Sequence, residues 1–140
     1  MEQVTFHFNV ADRVEHALRL LRKVQRSGAR CQVVAFEDEL QALDAVLWTR
    51  ENGDFWPHSL DDDPEPVRRR SPLHLGANAV GHVQVLVNLG RDLMPEPDAA
   101  WERVVDVVGM DPSDRSRARE RWRHYRGLGI EPESHDFAPR

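Results

Sequence analysis

The chain opens with β-rich residues at a period of two, "VTFHF", which predicts a first strand. The period then changes. In "DRVEHALRLLRKVQRSG" the apolar residues Val14, Ala17, Leu18, Leu21 and Val24 recur at helical spacing. Asp12 followed by Glu15 has the form of a capping box, and Ser27-Gly28 marks a stop. "CQVVAF" is a short, nearly continuous apolar run, as expected of a strand covered on both faces. A second helix is predicted from about Glu37 to Trp48, with Leu40, Leu43 and Leu47 turned inward. This β-α-β-α succession begins a parallel sheet.

The middle of the chain breaks the pattern. "ENGDFWPHSLDDDPEPVRRRSP" mixes Gly and Pro with separate blocks of acid and base, and is expected to be a long loop. Strands resume with "LHLGA", "HVQVLVNLG" and "WERVVDVVG". The closing helix, "DPSDRSRARERWRHYRGLG", is entered through Asp111-Pro112 and ends at glycine. We therefore expect one three-layer α/β/α domain with a mostly parallel sheet over residues 1–130, followed by a loosely ordered tail over 131–140.

Composition narrows this. With 40% apolar residues, 140 positions can bury a core without staples, and the single cysteine, Cys31, excludes an intramolecular disulfide. The N-terminus lacks the order of a signal peptide and no apolar run reaches the ~20 residues of a membrane span, so a soluble cytoplasmic protein is expected. The formal net charge is −5, yet six arginines lie between Arg115 and Arg126 against one acid, Glu120. The basic charge is local, which disfavours general duplex binding.

Several kinds of chemistry lack their residues. The turn after the first strand, "NVADR", has no glycine to let backbone N–H groups approach a phosphate. Glu37, Asp38 and Glu39 stand where a ribose-binding acid could, but acids in a first helical turn are explained by the helix dipole. The seven histidines are scattered without metal-ligand spacing, and no serine sits in a G-x-S-x-G elbow. No cofactor, metal or catalytic residue is expected.

The closing helix carries more information. At about 100° per residue, Arg115, Arg119, Trp122 and Arg126 share one stripe. Ala118 and Tyr125 lie beside it, so Trp122 sits at the seam with the packed side, while Arg117, Arg121 and Arg123 are read as solvated charges. An indole wall next to guanidinium donors suits an acidic peptide ending in an aromatic residue. Single-stranded nucleic acid is the competing ligand, stacking bases on the indole and placing phosphates on arginine. A second candidate surface lies in "LWTRENGDFWPHSL", whose large aromatics are either core lids or anchors for a partner.

In order along the chain, "TFHF", "RSGARCQVVAFEDELQALDAVLW", "FWPHSL", "VVDVVG" and "RARERWRHYRGLG" resemble the chi-subunit family of the bacterial DNA polymerase III holoenzyme. The resemblance implies a noncatalytic clamp-loader accessory subunit with a Rossmann-like outline and no nucleotide-binding loop. It implies binding of the acidic, phenylalanine-terminated C-terminal tail of single-stranded DNA-binding protein, with DNA contact mainly indirect. By matching positions the tail-binding residues would be Val108, Arg115, Arg119 and Trp122, with Arg119 facing the terminal carboxylate. Trp122 stands where the family commonly has tyrosine, and Arg115 where lysine is familiar. A second surface would hold the psi subunit, or a helicase in its place, on Trp48 and Phe55. The stretch "DDDPEPVRRRSPLHLGANAVG" departs most from the family pattern.

Overall fold

The computed structural model describes residues 3–48, 57–77, 83–92 and 101–138. The elements run β1 (Gln3–Val10), α1 (Arg13–Ser27), β2 (Cys31–Val34), α2 (Glu37–Trp48), β3 (His58–Leu60), α3 (Glu65–Arg70), β4 (Leu73–Leu75), β5 (Val85–Asn88), β6 (Arg103–Gly109), α4 (Pro112–Gly127) and β7 (Glu133–Asp136). The seven strands form one sheet in the order β3-β4-β2-β5-β6-β1-β7, and every described pairing is parallel.

Side-chain alternation sorts the sheet into two cores. Val33, Leu73, Leu75, Val85, Val87, Val105 and Val107 pack with Ala17, Leu21 and Val24 of α1 and with Leu43 and Leu47 of α2. Val4, Phe6, Leu86, Val104 and Val108 point the other way, onto Ala118 and Tyr125 of α4. This is a three-layer α/β architecture of Rossmann-like outline. Strand β1 changes sides within itself. Phe6 and Phe8 face α4, but Val10 joins the α1 core because the register against β6 shifts between His7 and Val10, where Asn9 adopts φ 60°.

The helix ends follow their chemistry. Asp12 accepts from Glu15 N–H at 3.1 Å, while the Glu15 carboxylate turns forward to Arg19 at 2.8 Å, so only half of the anticipated capping box forms. Gly28 closes α1 at φ 77°. Asp111 caps α4 by accepting from Ser113 N–H at 2.8 Å, and Pro112 fits the first turn, where no N–H is needed.

Two expectations need correction. The mid-chain segment is not simply a loop: it contains β3 and α3, which return the chain to β4 by a crossover of about a dozen residues, the minimum that parallel pairing allows. Nor is the 131–140 segment uniformly loose. Glu133–Asp136 add to β1 as an edge strand, although all four residues are exposed. Backbone pairing holds this strand without an apolar face, and hydropathy therefore carries no trace of it.

Candidate functional site

Helix α4 lies over β1 and β6, and its stripe faces a groove of about 360 Å³. The floor is apolar: Val108 from β6, Phe6 and Phe8 from β1, and Ala118 from the helix. Trp122 closes one side, its ring 5.0 Å from that of Phe6 between centroids and tilted by 56°. Arg115 and Arg119 line the same groove, with Ser134 of β7 at its margin. Val108, Arg115, Arg119 and Trp122 are thus brought together from two elements. Arg126, further along the stripe, does not line the groove and lies 3.9 Å from Glu131.

The two arginines differ in what holds them. The Arg115 guanidinium donates to the Asn9 side-chain oxygen, and Asn9 in turn donates to Asp136 at 2.9 Å. Arg119 is exposed and has no hydrogen bond or ion pair among the described residues. One cation is therefore fixed in place and the other is available. An apolar floor with donors at its rim can bind a ligand that joins an aromatic group to a carboxylate. Asn9, Phe6, Phe8 and Ser134 went unnoticed in the sequence. Asn9 acts here because of its bulge, and a lone Asn before a helix carries no signal of that.

Arg121 is not a solvated charge. It is 0% exposed and grips Asp106 of β6 through two hydrogen bonds, Nε to Oδ2 at 2.7 Å and Nη2 to Oδ1 at 3.0 Å. Its position on the wheel explains this. It is three residues from Ala118 and four from Tyr125, both buried, so the inward face runs through it. Burial works against its charge, but the hydrogen bonds and charge of Asp106 outweigh that and hold the guanidinium above its ordinary pKa.

The carboxyl ends of the strands, where open α/β sheets receive ligands, are filled from within. Arg13 at the start of α1 binds Glu39 of α2 at 3.0 Å and Asp114 of α4 at 3.1 Å. Its guanidinium lies against Gly90, where any Cβ would collide with it, and Arg13 and Arg91 both approach the ring of Phe36. Three helix N-termini thus converge on the protein's own ion pairs. Glu39, read from sequence as a dipole partner, also accepts from Phe36 N–H at 3.3 Å.

A hydroxyl–imidazole–carboxylate chain does exist, from Ser59 Oγ to His74 Nδ1 at 2.7 Å and from His74 Nε2 to Asp61 at 2.7 Å. Ser59 is 0% and His74 1% exposed, so no substrate reaches the hydroxyl and the chain serves to pin β3 to β4. Among the described residues no three His, Cys, Asp or Glu side chains converge as a metal site. Burial pushes the Cys31 thiol pKa up, away from the reactive thiolate.

With this geometry in hand, comparison with known proteins is decisive. The profile of the DNA polymerase III chi subunit, HolC, matches residues 1–133. The chain belongs to the DNA polymerase III chi-subunit family. It is similar to DNA polymerase III subunit chi of Escherichia coli, with 35% identity over 110 residues, 75% of this chain and 72% of that protein. The Pseudomonas aeruginosa subunit is 32% identical over 126 residues, 88% and 85% of the two chains. The Haemophilus influenzae subunit is 30% identical over 120 residues, 82% and 81%. This chi-family chain is accordingly a noncatalytic subunit of the DNA replication machinery. No described helix is long and apolar enough to cross a membrane.

The second candidate surface of this chi-family chain lies at the far edge of the sheet. Trp48, the last residue of α2, is 60% exposed. Asp44 one turn earlier accepts from Trp48 Nε1 at 3.0 Å and pairs with His58 Nε2 at 2.6 Å, and the Trp48 and His58 rings lie 5.1 Å apart. The indole is held at the surface rather than folded into the core. Phe55 lies outside the described residues.

Proposed function

We propose that the α4 groove binds the acidic C-terminal tail of single-stranded DNA-binding protein, and that the chain thereby links the clamp loader to coated template. The observation that carries this reading is the meeting of an unpaired Arg119 and a positioned Arg115 with the Phe6–Trp122–Val108 floor in one groove. The terminal phenylalanine ring occupies the floor, its carboxylate takes Arg119, and the preceding acids approach Arg115. Trp48 and Phe55 supply the contact with psi, or with a helicase in its place. The affinity is modest: the charge-assisted hydrogen bonds of Arg119 to the terminal carboxylate contribute about 1.5–3 kcal/mol, the aromatic anchor about 2 kcal/mol and the more loosely paired acids near Arg115 about 0–1 kcal/mol each. Several tails on one oligomeric partner raise the effective concentration, so such sites hold and exchange quickly.

Calorimetry with the tail peptide tests this. Arg119→Ala is expected to weaken binding at least tenfold with the thermal transition unchanged, and added salt to weaken the parent complex. A peptide lacking its last phenylalanine, or amidated at its end, is expected to bind much more weakly. Equal binding of native and amidated peptides would overturn the reading.

A further inference from the structure

The opposite face of β1 carries a second cationic groove, of about 330 Å³, between α1 and the end of the chain. His7 and His16 form its base, their rings joined by a 2.8 Å nitrogen–nitrogen hydrogen bond. Phe137 packs against both, at 4.8 and 4.6 Å between centroids, yet remains 44% exposed. One wall is the outer face of α1, with Arg19, Arg22, Lys23 and Arg26 all exposed. Arg19 is engaged by Glu15 at 2.8 Å. Arg22, Lys23 and Arg26 have no ion pair among the described residues.

The row satisfies no buried acid and its members repel one another, and only Arg26, in the last turn of α1, is favoured by the helix dipole. Arg22 and Lys23 are neighbours in sequence, and each lies one helical turn from both Arg19 and Arg26. Residues three and four apart on a helix lie about 5–6 Å from each other, an interval close to that between consecutive phosphates of an extended single strand. Beside the row, Phe137 presents a flat ring on which a base can stack. The two cations lining the α4 groove suit the few carboxylates of a peptide end, whereas four cations line this one. The charge complement is a repeating anion with flat side groups.

We propose that this α1 groove contacts single-stranded nucleic acid, with Arg22, Lys23 and Arg26 on three phosphates and Phe137 under one base. The site goes beyond tail docking and lies on the other face of the sheet from Arg119. In a chain of net charge −5 the contact is weak and salt-sensitive, and it matters where another attachment already holds the protein near the strand.

The test is fluorescence anisotropy of the full chain with a labelled short oligothymidylate, titrated between about 50 and 200 mM salt. Neutralising three phosphates of a single strand predicts a log–log salt slope of about −2. Arg22→Ala combined with Arg26→Ala should cut affinity at the lowest salt at least tenfold and reduce the slope to about −0.7. Phe137→Ala should weaken binding several-fold, and Arg119→Ala should leave it unchanged. The α1 double variant should melt like the parent and bind the tail peptide as the parent does, which separates this proposal from the tail-docking one. No oligonucleotide binding at low salt would overturn the proposal, as would a loss that tracks Arg119→Ala. So would an equal loss of peptide binding in the α1 double variant, which would make the groove a peptide site.

Discussion

Arg121 and Arg119 stand two positions apart on one helix and have opposite fates. Arg119 meets solvent at the groove, whereas Arg121 turns under the helix onto Asp106, a carboxylate that β6 buries completely. Removing one partner of such a pair leaves the other charge buried and alone, which costs far more than an exposed ion pair does. Asp106→Ala is therefore expected to destabilise the fold by about 3–5 kcal/mol in denaturant titrations, and the groove would loosen with it. Arg119→Ala should leave the same titration unmoved. A charged residue is thus legible as functional or structural only once its depth is known. In "RARERWRHYR" the arginines look alike, and the signal that sets Arg121 apart is its spacing from Ala118 and Tyr125.

At the scale of elements, β1 and α4 share the work of building the groove. Strand β1 supplies Phe6 and Phe8 to one face and Val10 to the other, and the change of side at Asn9 places an amide where it can orient Arg115. Asn9 has two separable roles, its positive φ and its side chain. Asn9→Gly retains the backbone freedom and should leave the melting temperature close to the parent's, while lowering tail-peptide affinity a few-fold through a less ordered Arg115. Asn9→Ala should lower both, with about 1 kcal/mol lost to the left-handed backbone. Comparing the two variants by calorimetry and thermal melts checks this division. Equal melting temperatures would show that the bulge does not depend on residue type.

For the whole molecule, the sheet separates two basic surfaces, one on α4 and one on α1, and buries histidines near the second. His7 is lowered from 6.5 to about 4, first by burial and then by the charges of His16, His135, Lys23 and Arg103. Burial also lowers His16 and His74, the latter despite Asp61. The unfolded chain takes up these protons near pH 6.5 and the folded chain only at lower pH. The stability they contribute is therefore full above pH 6.5 and is lost as pH falls toward about 4. Scanning calorimetry from pH 7.5 down to about 4 should show the transition falling across that interval. His16→Gln should make the fall shallower by removing one of the groups that titrates.

The succession of strands and helices was legible because hydrophobic periodicity is a local consequence of which face is buried. Thus β1, α1, β2, α2, β4, β5, β6 and α4 all stand where the pattern of the chain puts them. The α4 stripe was legible for the same reason, since a helix converts spacing into a face. Tertiary structure alone decided the rest. Strand β7 is held by main-chain hydrogen bonds to β1 and no apolar side chain announces it. Arg121 is inside because Asp106, fifteen positions earlier, arrives beneath it. Arg13 fills the crevice because three helix starts meet at one end of the sheet. Each of these depends on partners distant in sequence, and periodicity records how a residue is buried, never what it is buried against.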